Sequence, residues 1–373
     1  MTAWQNCETL DSVEADNNSF GAAIRAHDEA VAASGLNVWI GAEPTFTNRQ
    51  SESTEWLSEA LGKTKQTYAC RIIKQLRDSY PGSIILRTLG RQYEGEPQPR
   101  WSLGLYLRRD GRTLADALPV DPLSEACTCQ MQVMIAFWQS LVDQLNRNGR
   151  AATAFQVDVE MGLRILFTAD TKTISVDPST DPRLLRMPMQ SQAIPPEGLE
   201  DDLAAEGLYL TAIGCAQSGP ENSLQPCIEL PGFADVKLFA DFVKCVAIAA
   251  TAAGLTSLVW RGFPPPVDAS VAWMTLTPDP AVLEINEAPA ASITEFLYMS
   301  RRLFDVVHSS GLAPYRLNYN GDISESGGGG QFTLGGPSPE RSPFFVAPQL
   351  LSRLIVYLNH HPSLSYWFAP VYV

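Results

Sequence analysis

Between Thr256 and Pro289 three strand-like stretches, "TSLVW", "ASVAWMTLT" and "AVLEINEAP", follow one another with no helix between them. A doubly wound parallel sheet needs a crossover, usually a helix, between successive strands. The alternation also fails earlier in the chain. "AFQVDVEMGLRILF" and "TKTISVD" read as neighbouring strands, and so do "GLYLTAIG" and "PCIELP". Helical spacing marks "SFGAAIRAHDEAVAASGL", "STEWLSEALGKTKQTYACRIIKQLRDSY" with a break at Gly62, "CQMQVMIAFWQSLVDQLNRNG", "DVKLFADFVKCVAIAATAAG", "SITEFLYMSRRLFDVVHSSG" and "PQLLSRLIVYLNHHP". Strands in pairs and triples between long helices predict an α+β fold, a largely antiparallel sheet covered by helices on one side.

The stretch "SESGGGGQFTLGG", residues 324–336, pulls the other way. Four consecutive glycines beside serines have the composition of a flexible linker, which would cut the chain into two domains. A length of 373 residues fits one large domain or two ordinary ones. Apolar content of 45% against 18% charged is that of a folded protein. The formal net charge of −14 repels phosphate backbones and anionic membranes, which argues against nucleic-acid and membrane partners. It does not exclude ATP, whose charge Mg²⁺ and a few arginines neutralise locally.

The first 18 residues are polar and acidic, and are expected to be loose and not a secretory leader. A cytoplasmic protein with reduced thiols follows. The seven cysteines are scattered; Cys127 and Cys129 lie close together, but no second Cys/His pair has zinc-like spacing. The longest apolar run, "VKCVAIAATAAGLTSLVW", reads as a core helix leading into a strand.

Three features gather polar chemistry. Glu43 ends the apolar strand "NVWIGAEPTF"; a carboxylate there is exposed, paired or bound to a cation. "GRQYEGEPQPRWSLGLYLRRDG" crowds Arg91, Glu94, Glu96, Arg100, Arg108 and Arg109 into one span. Such guanidinium forks either clamp phosphate or carboxylate groups or satisfy the neighbouring acids in a solvated turn. In "AVLEINEAP" the strand period of two puts Glu284 and Asn286 on one face, with Leu283 and Ile285 on the other. Oxygen ligands at that spacing suit Mg²⁺ and its phosphates, though a Glu-x-Asn pair is common by chance. Asp158 and Glu160 repeat the spacing and the ambiguity. The four histidines form no nucleophile arrangement, and no Gly-x-Ser-x-Gly elbow, P-loop or dinucleotide fingerprint is present.

Six segments carry a family resemblance: "HDEAVAASGLNVWIGAEPTF", "EWLSEALGKTK", "GRQYEGEPQPRWSLGLYLRRDG", "TPDPAVLEINEAPAAS", "SGGGGQFTLGGPSPERSPFF" and "LNHHPSLSYWF". They resemble, in family order from about residue 27 onward, bacterial amidoligases of the glutamine synthetase and glutamate–cysteine ligase superfamily of carboxylate–amine ligases. The resemblance implies a single domain over 19–373, an antiparallel sheet curved into a half-barrel, and acidic side chains on its concave face holding Mg²⁺ or Mn²⁺. It implies ATP-dependent phosphorylation of a carboxylate, followed by amine attack on the acyl phosphate to give an amide. Carried over by position, Glu43, Glu284 and Glu160 become metal ligands. Arg91, Glu96 and Arg100 become a catalytic phosphate or substrate cluster. Asn286, Gly328, Gly329, Gly330 and Gln331 become nucleotide-binding. The implied partners are small-molecule or peptide carboxylates and amines, with a further copy or another subunit completing the site.

Two departures accompany the resemblance. The larger relatives have Asn-His where this chain has Gly330-Gln331. They also continue past "HPSLSYWF", whereas the sequence here ends at Val373. A non-catalytic protein that keeps the fold is the alternative these departures suggest.

Overall fold

The structure, a computed structural model, describes residues 18–89, 91–96, 100–114, 130–157, 162–186, 199–218, 223–328 and 330–365. Outside them fall most of the N-terminal segment, Cys127 and Cys129, Asp158 and Glu160, Gly329 and the C-terminal "YWF". The chain groups into two compact units. One comprises Met1–Leu76, Arg109–Gly111 and Asp268–Val373; the other Arg77–Arg108 and Arg112–Val267.

The first unit is built on the segment 39–46. Strand β1 (Trp39–Glu43) pairs antiparallel with β14 (Gln331–Gly335), setting Glu43 opposite Gln331 and Gly41 opposite Thr333. After Pro44 the chain continues as β2 (Thr45–Phe46), which pairs antiparallel with β11 (Val282–Glu287), Glu284 opposite Thr45. Strand β11 pairs in turn with β10 (Val271–Asp279) as a hairpin. The hairpin closes through Pro280 and Ala281, and Ala281 has φ 70°, a left-handed conformation that costs a non-glycine residue energy. The Ala281 carbonyl is held by the Thr47 hydroxyl at 3.0 Å and by the Arg316 guanidinium at 3.2 Å.

Helices cover one face of these strands. Helix α6 (Ile293–Ser309; α1 to α5 are given below) buries Met299, Leu303, Val306 and Val307 at helical spacing. It sets Phe304 edge-on to Phe46, ring centroids 5.1 Å apart. Its first turn is capped twice over. The Ser292 hydroxyl accepts from the Glu295 amide, and Asp28 on α1 (Asn18–Ala33) accepts from the Ile293 and Thr294 amides. The break expected at Gly62 holds, but only the part after it is an α-helix, α2 (Lys63–Ser79); the stretch before it, also expected to be helical, holds a single 3-10 turn at Thr54–Trp56. The Glu55 carboxylate of that turn accepts from the Thr64 and Lys65 amides and so starts α2. Lys65, fully buried, donates to the carbonyls of Glu59, Ala60 and Asp279, so that no charged or polar partner is left wanting.

The second unit holds the hairpin β3 (Ile84–Leu89) and β4 (Trp101–Arg108). It also holds a five-stranded sheet in the order β5 (Ala152–Gln156), β6 (Leu163–Thr168), β7 (Leu208–Ser218), β8 (Ser223–Leu230), β9 (Val259–Gly262). Pairings are antiparallel except β8 with β9, which run parallel through the crossover helix α5 (Val236–Ala252). Helix α3 (Met131–Arg147) packs beside α5. Phe167, Tyr209, Phe233, Phe239 and Phe242 interlock on this side of the sheet. The opposite side packs Leu166, Leu208 and Leu210 against Leu184 and against Leu203 of α4 (Leu199–Ala205). The covering segment includes "TKTISVD", which the sequence predicts as a strand. It is irregular instead, with Ile174 and Val176 turned into the apolar cluster. The α+β prediction holds, with largely antiparallel sheets, and none of the described sheets closes on itself.

The glycine run is not slack. Ser326 donates to or accepts from Thr45, Oγ to Oγ1 at 2.7 Å, and its carbonyl accepts from Arg316 at 3.0 Å. Gly327 has φ +99°. A Cβ on Gly328 would stand 2.6 Å from a methyl of Val282 and 3.2 Å from that of Thr45. Gly328 therefore lies against the side chains of Val282 and Thr45, where a Cβ would collide. Replacing Gly328 by Ala should lower stability by about 1–3 kcal/mol through overpacking against the stiff, fully buried Val282. In urea unfolding of Gly328→Ala, Val282→Ala and the pair, the double variant should lose clearly less than the two single losses combined.

Candidate functional site

One face of the first unit's strands gathers the polar residues singled out in the sequence. Directly opposed residues share a face, so Gln331 and Glu43 stand side by side across β14 and β1. On β11, Glu284 lies opposite Thr45 on one side and Thr277 on the other, and Asn286 lies opposite Thr275. Burial along β11 alternates as predicted: Leu283 and Ile285 are buried, whereas Glu284 and Asn286 are half-buried. The Asn286 amide donates to the Glu284 carboxylate at 2.8 Å. That bond turns the Asn286 carbonyl oxygen away as a free acceptor and leaves Glu284 three of its four lone-pair sites.

Glu43 meets β11 at an irregularity. The Ile285 amide donates to the Pro44 carbonyl at 3.0 Å, while Ile40 and Ala290 exchange both backbone hydrogen bonds, at 2.9 and 2.7 Å. Four steps from Pro44 back to Ile40 are thus matched by five from Ile285 to Ala290. The surplus residue makes a β-bulge in the "NEAP" stretch, so that Glu43 faces the Asn286–Glu287 step. Bulges re-aim side chains and are over-represented beside active sites.

Arg109 fixes this stretch from outside the ladder. Its guanidinium donates to Glu295 at 2.8 Å and to the Pro289 carbonyl at 2.7 Å, and stacks on the Trp39 ring. Glu295 in turn accepts from the Ala291 amide at 2.7 Å. The sequence marks Arg109 only as one of several arginines in a crowded turn; here it is a strut between β1, the bulge and α6.

The glycines and Gln331 complete the edge. Gly328 rests on Val282 and Thr45, and Gly330 has the Glu43 carbonyl 3.8 Å from where its Cβ would stand. Gly329 lies outside the described residues, as does Glu160. Glu43, Glu284, Asn286, Gly328, Gly330 and Gln331 thus fall on adjoining strands or on the loop that borders them.

The arginine cluster belongs to the second unit and is largely self-satisfied. Arg100 donates through Nε and Nη2 to Glu96 at 2.9 and 2.7 Å and stacks on Tyr93 at 4.2 Å from the ring centroid. The Arg91 carbonyl accepts from the Arg100 amide, and the Arg91 side chain is exposed. The Arg100 hydrogen bonds hold the Glu96 carboxyl below the usual range.

The metal set is small. Among the described residues no group of three or more His, Cys, Asp or Glu side chains converges as a metal cage. Two carboxylates and an amide oxygen on adjoining strands are the donor types that suit Mg²⁺. That ion usually takes one or two protein carboxylates and fills its octahedron with water and substrate phosphate. Cys70, Cys215, Cys227 and Cys245 are unbridged thiols, and no described helix is long and apolar enough to cross a membrane.

Residues 13–183 and 204–373 match the family described as "Putative amidoligase enzyme (DUF2126)". The chain belongs to this family. No curated protein and no solved structure matches it significantly. Family membership makes it an amidoligase by assignment, an enzyme type that forms amide bonds.

One ionisable group at this edge was not singled out from the sequence. Glu287 lies opposite Met274, on the buried face of β11, with 5% of its surface exposed and its Oε1 without a hydrogen-bond partner. Burial pushes its carboxyl from 4.5 up to about 7. The period of two that pairs Glu284 with Asn286 also places Glu287 among Leu283 and Ile285, so the signal was present. In metal-free buffer, the folded chain keeps a proton between about pH 4.5 and 7 that the unfolded chain has released. Stability should therefore fall as pH rises through that window, by up to about 3 kcal/mol, and level off above it. In Glu287→Gln, urea midpoints at pH 5, 6 and 7 should lose this slope; an unchanged slope would assign it to other groups.

Proposed function

We propose that the protein is an ATP- and Mg²⁺-dependent ligase that joins a carboxylate to an amine through an acyl phosphate. Assignment to the amidoligase family gives the bond formed. The observation that carries the rest is the set of polar residues Glu43, Glu284, Asn286 and Gln331 on adjoining strands, bordered by Gly328 packed on Val282 and Thr45. In this reading β14, β1, β11 and β10 form part of the wall of a glutamine synthetase-like half-barrel.

Glu43 and Glu284 would hold Mg²⁺, which would supply positive charge to offset that of the phosphates. Asn286, locked by its bond to Glu284, offers a carbonyl oxygen of fixed direction toward the nucleotide or a metal-bound water. The glycine loop brings backbone amides to the phosphates without a side chain in the way. Arg91, exposed in the second unit, is a guanidinium of the type that takes phosphate or carboxylate groups. Arg100, clamped by Glu96 and Tyr93, would shape that segment. Glu287 faces the opposite side of β11 and takes no part in this scheme. The amine attacks the acyl carbon, phosphate leaves, and the attacking nitrogen loses one proton to solvent or a base.

A second reading, a protein that keeps the fold without turnover, is favoured by Gln331. An amide oxygen is a weaker metal ligand than the imidazole found there in larger relatives. The two readings separate in one assay. Phosphate release from ATP is screened over pools of carboxylates and amines with saturating Mg²⁺. The ligase reading expects release that requires both pools, and a loss of about 100-fold or more in Glu43→Gln. Absence of ATP binding by calorimetry, or full activity in Glu43→Gln, would overturn it.

A further inference from the structure

The ligase reading gives Arg109 no role, yet this residue touches the segments that present Glu43. Its backbone amide donates to the Ser270 carbonyl at 2.9 Å, one residue before β10 begins, which anchors the foot of the side chain. The guanidinium divides among three elements. Nη1 donates to Glu295 on α6 at 2.8 Å, Nη2 donates to the Pro289 carbonyl in the bulge at 2.7 Å, and the central carbon lies 4.9 Å from the Trp39 ring centroid at the start of β1. The Arg109 and Glu295 side chains are 13% and 15% exposed, so their pairing is largely shielded from solvent and salt. A lysine could not do this. Its single ammonium has no planar fork to serve Glu295 and Pro289 together and no flat face to lay on Trp39.

These contacts close on successive residues. Arg109 holds the Pro289 carbonyl, Ile40 exchanges both backbone hydrogen bonds with Ala290, and Glu295 accepts from the Ala291 amide. The far end of the bulge is thus tied at three residues in a row, and Arg109 or its partner Glu295 makes two of the three ties. The Pro289 ring then meets β1 at Gly41. A Cβ on Gly41 would stand 3.6 Å from that ring and would collide with the Thr333 hydroxyl. Residues 41 and 43 share a face of the strand, about 7 Å apart. The position next to Glu43 on its own face is therefore occupied by the Pro289 ring and the Thr333 hydroxyl, and the carbonyl of that proline is the group Arg109 holds.

We propose that Arg109 is a positioning residue for the divalent metal: by tying Trp39 and the Pro289 carbonyl together it fixes the bulge against β1, and with it the direction of the Glu43 carboxylate. The inference rests on Glu43 as a metal ligand in the ligase reading, and adds to it a residue that does not touch the ion. Groups that orient metal ligands from outside typically contribute about 10–100-fold in metal affinity. Arg109 acts through a backbone carbonyl and a ring, without a direct hydrogen bond to Glu43, which places its contribution at the lower end, about tenfold.

The test measures Mn²⁺ binding by the full chain without nucleotide, from the paramagnetic resonance signal of the free ion. Urea unfolding is the separate readout of stability. Arg109→Lys keeps a positive charge beside Glu295 and loses the fork; it should weaken Mn²⁺ binding about tenfold in protein that is still folded. Glu43→Gln should weaken binding too. Adding Arg109→Lys to Glu43→Gln should weaken it no further, because Arg109 acts through Glu43. Pro289→Ala removes the ring and keeps the carbonyl; it should weaken binding in the same direction, and it carries the test if Arg109→Lys does not fold. A residue that serves stability alone would lower the urea midpoint and leave Mn²⁺ affinity intact, and that result would overturn the proposal. So would an equal loss from Arg109→Lys with and without the Glu43 carboxylate. If the unaltered chain takes up no Mn²⁺ at millimolar concentration, or if Glu43→Gln leaves uptake unchanged, the metal reading falls and the inference with it. If Glu43→Gln weakens binding while Arg109→Lys and Pro289→Ala do not, the inference falls alone.

Discussion

Backbone pairing on both sides of residues 39–46 is the constraint from which the candidate site hangs. One edge of this segment holds β14, which brings Gln331 to Glu43; the other holds β11, which brings Glu284 to Thr45. Proline at position 44 has no amide to donate, yet its carbonyl still accepts from Ile285. The change of partner from one side to the other is therefore made without a buried, unsatisfied donor. Arg109, Asp28 and the Ser292 cap then hold the start of α6 against the same stretch, so the "EINEAP" segment cannot drift from β1.

Charged side chains are paired over short and long sequence distances. Arg100 is matched by one carboxylate and one aromatic face close to it in sequence, and the pair needs nothing further. Arg186 and Glu229, far apart in sequence, pair at 2.5 Å with both side chains buried.

Much of the fold was legible because it rests on local rules. Gly62 marks the start of α2, the apolar periodicity of 293–309 marks α6, and the period of two along "AVLEINEAP" places Glu284 and Asn286 on the open face. What was not legible depends on contacts far apart in sequence. "TKTISVD" has the composition of a strand, but Ile174 and Val176 find their apolar partners under the sheet of the second unit and no ladder forms. The glycine run looks like a linker until Thr45, Val282 and Arg316, none of them nearby in sequence, are seen to close around it.

The extra residue between Ile285 and Ala290 has a consequence for how the family's sequence can vary. A strand is a two-beat pattern, and one added beat reverses which side every later residue addresses. Here the reversal is confined between two fixed points, the Pro44 carbonyl and the Ile40–Ala290 pair. Losing one residue from "NEAP" would bring the two strands into even step, and either Glu43 or Ala290 would have to change sides. Length in this stretch is thus bound more tightly than composition. Side chains in it can be exchanged one for another, but their number sets the direction in which the carboxylate of Glu43 is presented.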